Sequence, residues 1–441
     1  GLERSLVRGE EVEGGDIVLQ ELRKTLRASR EAAPRYGNAA RLFFEPVEPF
    51  LVDDGGERDH PGRITRASLD ALWTWIRRDL LPDEAKTYSE EVVRVLQAEK
   101  TLDAQFLAHG FQDRASVAIG AALADARDDR AHRRLIAQIG TPRAQDDAVC
   151  LMRVLQSRDA LATMAAHLPG LIPDLSGVKL DQAKALIDLM SDRVRDAFPY
   201  ALLSVMNRLV MPWQLIRLAT KAAGGDSIKR IAQTPYALAV TIVLSELGRM
   251  ARELRDDLKA GGCVGVGALL KIIHDTARGL RTELDLPADS AWGRELAELR
   301  SQISDILKSE IEAMPGRVRR LLRPRPSSEI RANSVLDAGD VAETEALIDF
   351  VGACRHYAAE LALNEISQRC YSNLQHDLDG GSGALLDALR HSGDNDRSFR
   401  LSQLDALARF CGKVFGADYA AMLNKAAEVA AAPDSRGPRA A

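Results

Sequence analysis

The chain has 441 residues, 46% hydrophobic and 28% charged, with a formal net charge of −5. That length exceeds what one hydrophobic core usually spans, so more than one domain is expected. The negative balance excludes any global attraction to nucleic acid or anionic lipid. Aromatic residues are only 5%, while Ala, Leu and Arg, all good helix formers, are plentiful, and this mix points to an all-α fold.

Residues 1–64 are expected to form an N-terminal helix plus an extended arm that packs on the next domain. The first helix is predicted over 16–33, where Ile17, Val18, Leu19, Leu22 and Leu26 supply the apolar positions. The arm is "RLFFEPVEPFLVDDGG", 41–56. A period of three sorts it: Phe44, Val47 and Phe50 on one edge, Pro46 and Pro49 on another, Glu45 and Glu48 on the third. The two prolines disfavour α geometry for the residues before them, which points to polyproline II. The arm thus reads as an apolar clamp between the first helix and the helix carrying Trp73. Its glutamates face solvent or an arginine such as Arg41 or Arg63, and they lack the desolvated cleft that catalytic carboxylates need.

The main helical domain is expected over 65–322. In its first helix Leu69, Leu72, Trp73, Ile76 and Leu80 follow one helical face, with Thr65 or Ser68 as cap and Pro82 as stop. Asp83 is the expected cap of the helix after it. Helical periods continue over 102–110, 113–126, 128–139, 144–167, 180–222, 226–260, 264–283 and 288–322. Pro-Tyr-Ala-Leu occurs at Pro199 and again at Pro235, a faint echo of the kind that marks helical repeats and an irregular α-solenoid. Trp292, Leu296, Leu299, Ile303 and Ile306 form a short heptad seam, read as a helix packed on its own domain, with a homo-oligomer as the alternative. A basic and polar linker is expected over 323–339. A C-terminal helical bundle follows over 340–430, its first helix capped near Asp340 or Glu343, with a Gly-rich loop near 380 and a polar loop near 394. Residues 431–441 read as a disordered tail.

The cysteines Cys150, Cys263, Cys354, Cys370 and Cys411 are odd in number and form no CxxC pair. They read as reduced, buried thiols rather than a disulfide framework or a zinc site, which favours the cytoplasm. The chain lacks an apolar run of 18 residues, so no membrane span is expected. The N-terminus has no signal-peptide pattern, although Gly1 in place of Met suggests a trimmed start and leaves a removed leader open.

Several catalytic signatures are absent. "GGSGA" (380–384) lacks the last glycine of a nucleophile elbow, and "GCVGVGAL" (262–269) has Ala268 and Leu269 where a P-loop needs Lys and Ser or Thr. Two His-Asp doublets, His274-Asp275 and His376-Asp377, are candidate metal ligands. "ALLKIIHDTARG" resembles the helix that carries such a doublet in HD-type phosphohydrolases. The resemblance implies a divalent metal held with a further His upstream and an Asp downstream. No histidine lies between His167 and His274, whereas His356 stands twenty residues before His376.

"DNDRSFRLSQLD" (394–405) has Asp394, Asp396, Ser398 and Asp405 at calcium-loop positions, but Phe399 replaces the obligatory Gly. His356, Glu360 and Asn364 are predicted to share one helical face. Arg317, Arg319, Arg320, Arg323 and Arg325 form a basic run with no interleaved aromatic. Base stacking is therefore unsupported, and a protein contact is preferred to nucleic acid. The reading is a non-enzymatic helical interaction or scaffold protein with a protein partner, no metal and no cofactor. A metal-dependent hydrolase and a nucleic-acid accessory protein using residues 317–325 are the alternatives.

Overall fold

The computed structural model describes residues 38–53, 62–125, 129–259, 266–332 and 334–431. The predicted helix over 16–33, the glycines before residue 62, Cys263 and the tail from 432 lie outside the described residues. Within them the fold is all-α, with 18 α-helices, short 3-10 turns and a single pair of two-residue strands. The chain divides into two compact units, 1–245 and 246–441. The division falls inside one helix, Ala237–Lys259, and the expected linker at 323–339 instead joins two helices of the second unit.

In the first unit, α1 (Asn38–Phe44) leads into a 3-10 helix, Glu45–Phe50. The arm is therefore 3-10 and not polyproline II. Both have three residues per turn, so a period of three fits either, and Pro46 in the first turn presets φ for the tighter helix. Phe44, Val47 and Phe50 are buried, and Glu45 and Glu48 exposed. β1 (Leu51–Val52) then pairs in parallel with β2 (Ile64–Thr65), with Leu51 opposite Ile64.

Next come α2 (Leu69–Trp75), which continues as a π-turn over Ile76–Leu80, α3 (Pro82–Gln97) and α4 (Thr101–Asp125). Neither Thr65 nor Ser68 caps through its side chain, and Pro82 opens α3 from an N-cap at Leu81, displacing Asp83 from that role. The core here is aromatic. Phe43 lies 5.3 Å from Trp73 and 5.4 Å from Phe111, and Tyr88 stacks on Phe111 at 4.6 Å. The Tyr88 hydroxyl donates to Ala39 O at 2.8 Å, and burial pushes its pKa up. Gln112 Nε2 donates to the carbonyls of Leu42 and Phe43, satisfying the exposed end of α1.

Beyond these lie α5 (Asp129–Ile139), α6 (Pro142–His167), α7 (Gly177–Arg193) and α8 (Phe198–Met206). They are followed by α9 (Ile216–Ala223) and α10 (Ile228–Ile231), and α11 (Ala237–Lys259) runs across the division. The single helix expected over 180–222 is broken twice. Pro199 opens α8, and the backbone of 208–210 bonds instead to Ile172, with Gln214 holding Leu175 N–H at 2.7 Å. Buried Asp147 on α6 accepts the Thr65 N–H at 3.2 Å, which fixes β2 to the helices.

The second unit is built on α13 (Ala291–Leu322), after α12 (Val266–Glu283). Against α13 pack α14 (Ala338–His356), the short α15 (Ala358–Leu361), α16 (Asn364–Arg390) and α17 (Arg397–Phe415). α18 (Ala417–Ala431) covers α16 and α17. Along α13 the buried stripe is Leu296, Ile303, Leu307, Ile311, Met314 and Val318, while Trp292, Leu299 and Ile306 are half-buried. A straight helix drifts from a strict heptad, so the stripe leaves the seam and packs on its own unit. Asp337, not Asp340 or Glu343, caps α14. The Gly-rich stretch near 380 is not a loop but the middle of α16.

Candidate functional site

The sequence-selected residues separate into three groups. His274 on α12 is half-buried, with Nδ1 3.0 Å from Asp275 Oδ1 and its ring 4.8 Å from that of Tyr357. Exposed His356 meets the same tyrosine from the end of α14, also at 4.8 Å. His376 is exposed on α16, and Asp377 lies 3.3 Å from Arg319 Nε, an ion pair rather than a vacant ligand. No group of three His, Cys, Asp or Glu side chains that could hold a metal occurs among the described residues.

The stripe of His356, Glu360 and Asn364 does not form, because the three belong to α14, α15 and α16. Ala362 turns left-handed (φ 56°) between the last two, and Glu360 pairs with Arg281 at 2.8 Å.

Three of the five arginines in the run are engaged within their own unit, while Arg320 and Arg323 are exposed. Arg317 pairs with Glu343 on α14, Arg319 with Asp377 on α16, and Arg325 lies over the Phe399 ring at 5.2 Å. The run therefore fastens the end of α13 to its neighbours. In the calcium-like loop, Asp396 is buried and faces Arg400, whose Nε donates to Oδ2 at 2.7 Å. Ser327 donates to the same oxygen at 2.8 Å and the Gly393 amide to Oδ1 at 2.8 Å. Burial pushes the Asp396 carboxyl up, but these hydrogen bonds outweigh it and hold it below the usual carboxylate range. The Asp396 carboxylate is thus matched by a guanidinium within its own helix turn.

In the clamp, Phe50 meets the Tyr200 ring at 5.2 Å and Asn207 Nδ2 donates to Pro49 O at 2.7 Å. Phe44 lies 6.1 Å from Trp73. Glu48 faces Arg66 at 3.5 Å, not Arg41 or Arg63. The clamp thus serves packing.

A shallow depression of about 420 Å³ lies between α11 and α13. Arg255, Lys259, Asp305 and Glu310 line it and offset one another in charge, so it presents no net field to a ligand.

The surface that stands out is on α4. Leu102, Phe106 and Val117 are 77%, 80% and 70% exposed. At 100° per residue they fall within an arc of about 60°. Ala104, Ala108, Phe111, Ala115 and Ile119 fill the opposite, buried side. Tyr88 stacked on Phe111 joins α3 to the buried side of α4, and on α3 Val93 is 42% exposed. His109 and Asp113 share the exposed arc, and Asp113 pairs with Arg158 at 2.6 Å.

Sequence reasoning missed this face. The available signal was a 25-residue helix with apolar side chains on both sides, a pattern that a one-sided surface helix does not show. Comparisons with protein-family models, with curated proteins and with solved structures find no match to this chain.

Proposed function

We propose that the chain is a helical protein-interaction module whose α4 face packs against an apolar-striped helix of a partner protein. The observation that carries this reading is Phe106, 80% exposed and flanked by Leu102 and Val117 on one arc of a helix whose other side is fully packed. Single exposed apolar residues are ordinary, but three aligned on one arc mark a surface suited to removal from water. Phe106 with Leu102 one turn before it supplies an i, i+4 pair of the kind used in helix-to-helix recognition, and Val117 continues the same arc three turns on, past His109 and Asp113.

The test places a photo-crosslinking phenylalanine analogue at position 106, and at exposed Glu365 as control, in the full chain. A captured protein is then titrated against the wild type and Phe106→Glu. The expected result is capture from 106 alone and at least about tenfold weaker binding by the variant, with an unchanged melting temperature. Equal capture from both positions, or unchanged binding by Phe106→Glu, would overturn the reading. A second copy as the captured species would assign the face to self-assembly instead.

A further inference from the structure

Residues 16–33 lie outside the described residues, and their sequence predicts an amphipathic helix. At 100° per residue Val18, Leu19, Leu22 and Leu26 fall within an arc of about 100°. Residues 23–30 carry Arg23, Lys24, Arg27 and Arg30 and no acid. A helix of that length measures about 27 Å, against about 23 Å from Leu102 to Val117 along α4.

The chain enters the described structure beside α4. At the start of α1 the Ala39 carbonyl accepts from Tyr88 of α3 at 2.8 Å, and the far end of α1 is held by Gln112 of α4. Residues 34–37 allow residue 33 to lie up to about 18 Å from residue 38. A helix with its side chains is about 10–12 Å wide, so this link is long enough to round α4 from its buried to its exposed side. So short a link also holds segment and face at millimolar effective concentration. Charge agrees with that placement. From Pro82 to Asp125, the stretch that forms α3 and α4, eight acidic residues stand against four basic ones, a net −4. Asp103 and Asp113 are exposed on α4, and the basic stretch 23–30 complements this surface.

We propose that residues 16–33 dock on the α4 face of their own chain as its resident helix, which a partner must displace. The inference rests on the reading of α4 as a helix-docking surface and supplies an occupant and a control for it. Val18, Leu22 and Leu26 cover the arc around Phe106, removing Leu102, Phe106 and Val117 from water. Because the segment is already tethered, it binds without the loss of freedom that a separate molecule incurs.

The test uses the purified full chain with no partner present. The photo-crosslinking phenylalanine analogue is placed at position 106 and, as control, at 178 on α7, where Val178 is 71% exposed. The expected product is a crosslink from 106 to the 16–33 peptide within single chains, its yield constant over about a hundredfold range of concentration. Leu22→Asp with Leu26→Asp should lower that yield at least about fivefold, with tryptophan emission unchanged, while Leu22→Met with Leu26→Met should keep it. A crosslink that maps elsewhere, forms only between chains, arises equally from 178 or survives both aspartates would overturn the inference. Capture from a lysate is a separate readout. A captured partner with no segment found at 106 would sink this inference alone, and the segment found at 106 with nothing captured would sink the partner reading alone.

Discussion

Asp396 has both carboxylate oxygens engaged, one by Arg400 and Ser327 and the other by the Gly393 amide. Both partners of the pair are less than a tenth exposed. Removing the cation alone leaves a buried charge without a counterion, which is costlier than the pair is worth. Arg400→Met is therefore expected to lower unfolding free energy by about 3 kcal/mol in urea titrations, and millimolar calcium should not restore it. The carboxyl sits below its usual range in the folded chain. Its stabilising contribution is thus complete above the ordinary aspartate value, about 3.9, and is lost as pH falls through the lower folded value. Asp396→Asn should flatten that acid limb of the stability profile. A limb unchanged in the variant would place the acid sensitivity on other carboxylates.

At the scale of elements, the arm at 44–50 makes the sharpest demand on packing. Phe44 and Phe50 are at most 5% exposed and contact Trp73 and Tyr200. Phe44→Ala or Phe50→Ala should each cost about 3 kcal/mol, whereas Glu48→Ala should stay within about 0.5 kcal/mol, since its pair with Arg66 is half exposed. Thermal unfolding of the three variants checks the contrast.

The division of Phe44, Val47 and Phe50 from the glutamates was legible in the sequence because burial follows the period. The choice between 3-10 and polyproline II was not, because the period is common to both. The start of a helix was legible at Pro82 but not at Pro199, which lay inside a stretch read as one helix, and the capping residues were not legible. Tertiary bonds broke the stretch at 180–222, where Ile172 and Gln214 draw the backbone away. They also broke the helix through His356, Glu360 and Asn364. The candidate face escaped because Leu102, Phe106 and Val117 lie on the exposed side of α4, and a stripe read for its core gives no weight to the side left over.

For the whole molecule, charge yields a test of the partner class. The net charge is −5, and three arginines of the basic run, Arg317, Arg319 and Arg325, are engaged by Glu343, Asp377 and Phe399, while Arg320 and Arg323 are exposed. Replacing Arg319, Arg320 and Arg323 by Glu should leave retention on heparin unchanged at moderate salt. It should lower stability by about 1 kcal/mol, as a new glutamate faces Asp377. Salt-sensitive retention lost in the variant would instead point to a polyanion site.

The division at 245/246 also sorts the chromophores. Trp73, Trp75 and Trp213 fall in the first unit and Trp292 in the second. Trp73 sits among the rings of Phe43, Phe44 and Tyr88. Intrinsic emission from this chain is therefore weighted towards the N-terminal half, and Trp292→Phe would make it report on that half alone. Any melting curve followed by tryptophan light speaks first for the aromatic nest beside the Phe44 arm, and only faintly for the helix that carries the glycines.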